Sequence, residues 1–130
     1  MHRIAIVAFA SLLILHGLIH LMGTTVYMKL GRLEGLPYKT TLLRGRWELG
    51  ESGMRFFGAL WVLPAVGFVL GGAALLAGHA MWVPLVVVTT LVSLVLTVLD
   101  FSAAYAGAVL NAVILAIVWL GPLVRSRLSG

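Results

Sequence analysis

The chain has 130 residues, 62% of them hydrophobic and only 10% charged, where soluble domains carry roughly 25% charged residues. So few charges cannot build a water-facing shell, which excludes a soluble globular domain, a disordered chain and a nucleic-acid-binding module despite a net charge of +5. The nine lysines and arginines against four acids instead suit lipid headgroups and the setting of topology. With no cysteine present, disulfides, thiol catalysis, zinc–thiolate sites and iron–sulfur clusters are removed together. What remains is a small integral membrane protein whose first partner is the lipid bilayer.

Four runs reach the length of about 20 apolar residues that a membrane-crossing helix needs: residues 4–26, 56–76, 81–99 and 103–124. None alternates like a barrel wall, and backbone groups in lipid must be satisfied within their own segment, so these runs are helices. The predicted fold is an all-α membrane protein, an antiparallel bundle of four transmembrane helices in one domain spanning residues 1–130. Only Ala77-Gly78-His79-Ala80 and Asp100-Phe101-Ser102 join the last three passes, and such short links force antiparallel neighbours. The long connection, from Tyr27 to Met54, is polar and holds most of the charges. Within it Arg44, Glu48, Glu51 and Arg55 fall at i, i+4, i+7 and i+11. That spacing predicts an interfacial helix over 41–55, with one face of alternating charge for anions or lipid headgroups. Arg46 joins the basic residues of this segment.

The first run follows Arg3 like a signal peptide, but it is too long for one, and Ala8-Phe9-Ala10 lies too early for cleavage. The segment is therefore expected to be retained. Counting lysines and arginines puts the long connection in the cytoplasm and both termini outside. The expected location is a bacterial cytoplasmic (inner) membrane.

Ionisable groups at membrane depth are costly and need a reason. His16 and His20 sit four residues apart, so both rings project from one helix face and can reach one metal ion. They are half of a site at most, and a haem held by two histidines normally needs them on opposing helices. The alternatives are interior histidines hydrogen-bonded across the bundle, or proton-handling catalysis. The third pass carries a stripe of Thr89 or Thr90, Ser93, Thr97 and Asp100, in which Asp100, at the helix end, is expected to be solvated or at headgroup level. Asn111 is the only amide in the four passes. Small residues at Gly67 and Gly71, and at Ala104, Gly107 and Ala108, favour close helix contact.

Antiparallel order brings His20, Thr24, Glu48, Glu51, Arg55, Thr97, Asp100 and Tyr105 towards one membrane side. His16 and Asn111 then lie roughly 15 Å deep at the helical rise. A pocket beneath the long connection, with His16, His20 and Asn111 at its floor, is the default site.

The string Leu15-His16-Gly17-Leu18-Ile19-His20-Leu21-Met22-Gly23 resembles the opening of a widespread group of short four-pass bacterial membrane proteins, loosely labelled permease-like or DoxX-like. The entry Ser52-Gly53-Met54 to Gly58-Ala59-Leu60-Trp61 and the spacing from Gly107 to Asn111 are similar to that group as well. Where the group carries an acid four residues before the glycine, this chain has Ala103, and its nearest acid is Asp100. The resemblance implies a four-helix fold with His16 and His20 retained as a feature. It implies no activity or cofactor.

Three functions are compatible with these residues. The first is a small helical bundle that binds an apolar ligand or a membrane partner, as a subunit, a stabiliser or a homo-oligomer. The second is a membrane-embedded enzyme or metal or cofactor site using His16 and His20 on a lipid-soluble substrate such as a quinone or isoprenoid, with Asn111 orienting it and Arg55 or Arg46 holding an anionic end. The third is a subunit of an oligomeric transporter or channel.

Overall fold

The computed structural model describes residues 2–129, with side chains as far as Pro122. Helix α1 (Arg3–Tyr27) begins where the His2 side chain accepts the Ile4 amide, and closes where the Met28 amide bonds back to Thr24. After the connection come α2 (Gly50–Leu60) and α3 (Val62–Leu76), then α4 (Trp82–Leu99) and α5 (Phe101–Ser129). Four stretches are long and apolar enough to cross a membrane: Arg3–Tyr27, Gly50–Leu76, Trp82–Leu99 and Phe101–Pro122.

The break between α2 and α3 falls at Trp61, and Pro64 explains its place. Proline has no N–H to offer the Leu60 carbonyl and its ring crowds that turn, so the helix tightens just before it, with the Trp61 amide bonded to Gly58. The α4–α5 reversal is made by one residue, Asp100, whose carbonyl accepts the amides of Ala103 and Ala104. Ala104 itself leaves helical geometry, at φ −121° and ψ 21°.

Residues 41–55 do not form the single helix expected of them. Leu43, Arg44 and Gly45 all take positive φ, at 54°, 58° and 84°. That reverses the chain into a short hairpin of β1 (Thr41–Leu42) against β2 (Trp47–Glu48), with Thr41 opposite Glu48 and Leu42 opposite Trp47. The second pass instead starts early, at Gly50. Arg44 and Glu48 thus stand on the hairpin and Glu51 and Arg55 on α2, so the charged stripe is broken. Only Glu51 and Arg55 keep an i, i+4 approach, at 3.9 Å.

Glycine decides the close seams. A Cβ on Gly17 would lie 2.8 Å from the Ala65 carbonyl, and one on Gly72 2.9 Å from that of Ala10, so α1 and α3 approach backbone to backbone. Gly67 and Gly71 likewise leave room for Thr89 and Val86 of α4. Such contacts hold apolar helices together by dispersion where no water is expelled. Thus α1 packs on α3, α3 on α4 and α4 on α5, whereas α1 and α5 stand apart along most of their length. One core gathers Phe9, Leu13, Phe68, Val86 and Ile114; a second gathers Tyr27, Leu42, Met54, Phe57, Trp61 and Leu96 beneath the hairpin. The outer surface is apolar, with Ile4, Phe56, Val88, Val95 and Trp119 exposed. A chain in water would not leave so much apolar area open.

Candidate functional site: a polar-floored cavity between α1 and α5

Where α1 and α5 stand apart on the side of the connection, they enclose a cavity of about 310 Å³. Its α1 wall includes His16, Ile19, His20 and Gly23, and its α5 wall Ala103, Ala106, Gly107 and Leu110. Trp61, Thr97 and Asp100 close the back, and the connection reaches over it at Glu34, Gly35 and Leu36. Small residues on α5 make the space, and Gly23 lets the Trp61 ring lie against α1, since a Cβ there would sit 3.0 Å from that ring.

His16, His20 and Thr97 in the cavity wall belong to a hydrogen-bond network joining three helices, whose other members, Asn111 and Ser93, are fully buried behind that wall and, contrary to expectation for Asn111, do not line the cavity. His16 Nε2 lies 2.8 Å from Asn111 Oδ1, Asn111 Nδ2 lies 2.8 Å from Ser93 Oγ and 3.3 Å from Thr97 Oγ1, and Ser93 Oγ lies 2.5 Å from His20 Nε2. His20 Nδ1 lies 2.7 Å from the His16 carbonyl. The last contact fixes the direction of the rest, because a carbonyl only accepts. His20 therefore carries its proton on Nδ1 and accepts the Ser93 hydroxyl at Nε2. Ser93 then accepts from the Asn111 amide, and Asn111 Oδ1 is left to accept from His16 Nε2–H. Thr97 donates to the Leu94 carbonyl at 3.1 Å and so also accepts from Asn111. The two imidazoles are thus opposite tautomers. Both rings are buried, against each other at 4.6 Å between centroids and against Phe68.

Their spacing would let His16 and His20 reach one metal ion, but three of their four ring nitrogens are engaged by protein partners. No group of three or more metal-capable side chains occurs among the described residues.

Asp100 also departs from expectation. Its carboxylate is 2% exposed, not solvated. The Tyr27 hydroxyl donates to Oδ2, and Lys39 Nζ lies 2.5 Å from Oδ1. The second contact is a charge pair without hydrogen-bond alignment, since Oδ1 has no hydrogen-bond partner. Burial of a carboxylate is tolerable only with such a counter-charge. Lys39 arrives because the connection is tied down at the same place, with the Leu43 amide on the Leu99 carbonyl at 3.0 Å and Leu42 buried.

The remaining expected residues lie elsewhere. Tyr105 is 60% exposed beside Phe101 and lines no part of the cavity. Arg44, Arg46 and Glu48 are exposed on the hairpin, and Arg55 and Glu51 are exposed on α2. None of the five reaches the cavity wall, so an anionic end held by Arg46 or Arg55 is not available there. Glu51 pairs instead with Lys29 at 2.9 Å, and that hydrogen bond with its charge raises the Lys29 ammonium above its ordinary value.

Among the residues in or behind the cavity wall that sequence reasoning does not single out are Tyr27, Glu34, Lys39 and Trp61. A signal existed for Tyr27, which lies 11 residues after His16, the spacing that returns to the same helix face. For Trp61 the signal was Pro64, which sets the break that carries it. For Lys39, a flexible cation in a long connection, there was none.

Comparisons with protein families, with curated proteins and with solved structures found no match.

Proposed function

We propose that the chain is an integral membrane bundle of four antiparallel helices, capped on one side by its long polar connection, and that it binds a lipid-soluble molecule in the cavity between α1 and α5. The observation that carries this reading is the cavity itself. Its volume of about 310 Å³ lies at the lower end of the roughly 300–1,000 Å³ of small-molecule sites. It joins aliphatic walls to a few convergent polar groups, the usual build of such sites. Its rim supports entry from the bilayer, because Ile19 and Met22 on one side and Ala103 and Ala106 on the other are exposed and apolar. A molecule dissolved among acyl chains would meet this gap without crossing water.

The resemblance to short bacterial membrane proteins favours a bacterial inner-membrane location, and the lysines and arginines of the connection favour its lying on the cytoplasmic side. Native mass spectrometry of the detergent-extracted chain, with lipid identification, tests the reading. The wild type is expected to retain a lipid-soluble molecule that a Gly107→Leu variant, its side chain filling the cavity, has lost. The same bound species in both would overturn it, and a stoichiometric protein partner in place of a small molecule would favour a subunit role.

A further inference from the structure

The hairpin that stands in place of the expected interfacial helix carries a pattern that its fold does not use. Leu43, Arg44 and Gly45 run through positive φ, at 54°, 58° and 84°. Glycine or asparagine takes such places easily, whereas leucine and arginine are strained there. The turn holds both all the same and leaves them open. Leu43 is 41% exposed and Trp47, beyond the turn, 47%, and Arg44 and Arg46 are exposed as well.

Neither arginine is neutralised within the chain. Among the described residues the ion pairs are Lys29 with Glu51, Lys39 with Asp100 and Arg55 with Glu51. Glu48, the acid nearest in sequence, accepts the Gly50 amide at 2.9 Å. The tip therefore offers two unpaired guanidinium groups flanked by two open apolar side chains.

Its depth is set by the helix beside it. The Leu43 amide donates to the Leu99 carbonyl at 3.0 Å, in the last turn of α4. With its 18 residues α4 spans roughly 27 Å at the helical rise, close to the thickness of a bilayer's hydrocarbon core. Its end thus falls at the boundary between acyl chains and headgroups. Phe101 and Tyr105, both exposed at the start of α5, stand at the same end, as aromatic residues do at that boundary. At this level leucine and tryptophan meet the upper acyl chains, and arginines beside them meet headgroup charge.

We infer that the hairpin tip binds the headgroup of an anionic phospholipid, with Arg44 and Arg46 on its negative charge and Leu43 and Trp47 seated against the adjoining acyl chains. The inference rests on the membrane-spanning bundle of the proposed function and not on its cavity. It also narrows the expected headgroup contacts, because Arg55, on α2 beside Glu51, takes no part.

The test places the full chain, labelled with fluorotryptophan, in phosphatidylcholine nanodiscs with and without phosphatidylglycerol. Fluorine-19 spectra follow Trp47, assigned with Trp47→Phe, and native mass spectrometry counts the lipids retained. The Trp47 signal is expected to be broadened by a headgroup-spin-labelled lipid and to shift when phosphatidylglycerol is added. Phosphatidylglycerol is expected to be enriched on the chain, and Arg44→Gln and Arg46→Gln each to lower that enrichment about fivefold, against little change for Arg55→Gln. A sharp Trp47 signal that neither lipid moves would overturn the proposal while leaving the bundle in the membrane. Equal enrichment in the wild type and the double arginine variant would do the same. So would its removal by free inorganic phosphate, which would assign the tip to the anion alone. A chain that separates from the discs altogether would overturn the membrane reading as well. The wild-type fluorine spectra decide the matter even where a variant folds poorly.

Discussion

The two sides of α1 are built on opposite principles. Towards α3, Gly17 and Gly72 bring backbones into contact with no polar side chain between them. Towards α5, the backbones stand apart, and the helices meet through side chains: Phe9 and Leu13 share a core with Ile114, and His16 bonds to Asn111 within a polar network, with a cavity above it. The first side fixes the helices in place, and the second leaves space that the polar floor keeps from collapsing. A dry seam gives adhesion, and a polar-bridged gap gives a site.

The ion pairs repeat the contrast. Lys39 and Asp100 meet with the carboxylate 2% exposed, whereas Lys29 and Glu51 are about half exposed each. The largest effect is therefore expected from Lys39→Met, which strands a buried carboxylate and costs about 3 kcal/mol, the low end for a broken buried pair because Lys39 is partly exposed. Adding Asp100→Asn should restore most of the loss, and thermal unfolding in mild detergent reads both. Gly17→Leu comes next, at about 2 kcal/mol from overpacking against fixed backbone. Gly121→Ala, with nothing within 4 Å of its added Cβ, is expected to change little. Asn111→Leu loosens the other side by about 1–2 kcal/mol, leaving the His16 donor unpaired. Pairing it with His16→Phe should recover part of that stability while abolishing ligand retention. Lys29→Ala is expected to leave the melting temperature unchanged, since exposed pairs contribute little. Were Lys29→Ala as damaging as Lys39→Met, the contrast between buried and exposed pairs would collapse.

The helices were legible because a long apolar run has one physical solution in lipid. So was the gathering of His16, His20, Thr97 and Asn111, since helix periodicity and chain reversal suffice to place them on one side. The hairpin was not legible: the spacing of Arg44, Glu48, Glu51 and Arg55 is as good a helix as many, and positive φ at Leu43 and Arg44 comes from tertiary anchoring of Leu42 and Lys39, which local spacing does not encode. Asp100 misled for the same reason. Its place at a helix end suggested solvent, but its counter-charge arrives from 61 residues earlier in the chain. Tyr105 misled because the departure from helical geometry at Ala104 turns the side chains beyond it about the axis of α5.

The central claim is that two inward-turned imidazoles share one directed chain of hydrogen bonds. Nitrogen-15 spectra of histidine-labelled protein in lipid nanodiscs test it most directly. The expected result is two neutral rings of opposite tautomer, His16 protonated on Nε2 and His20 on Nδ1. Matching tautomers, or a proton on His16 Nδ1, would contradict it.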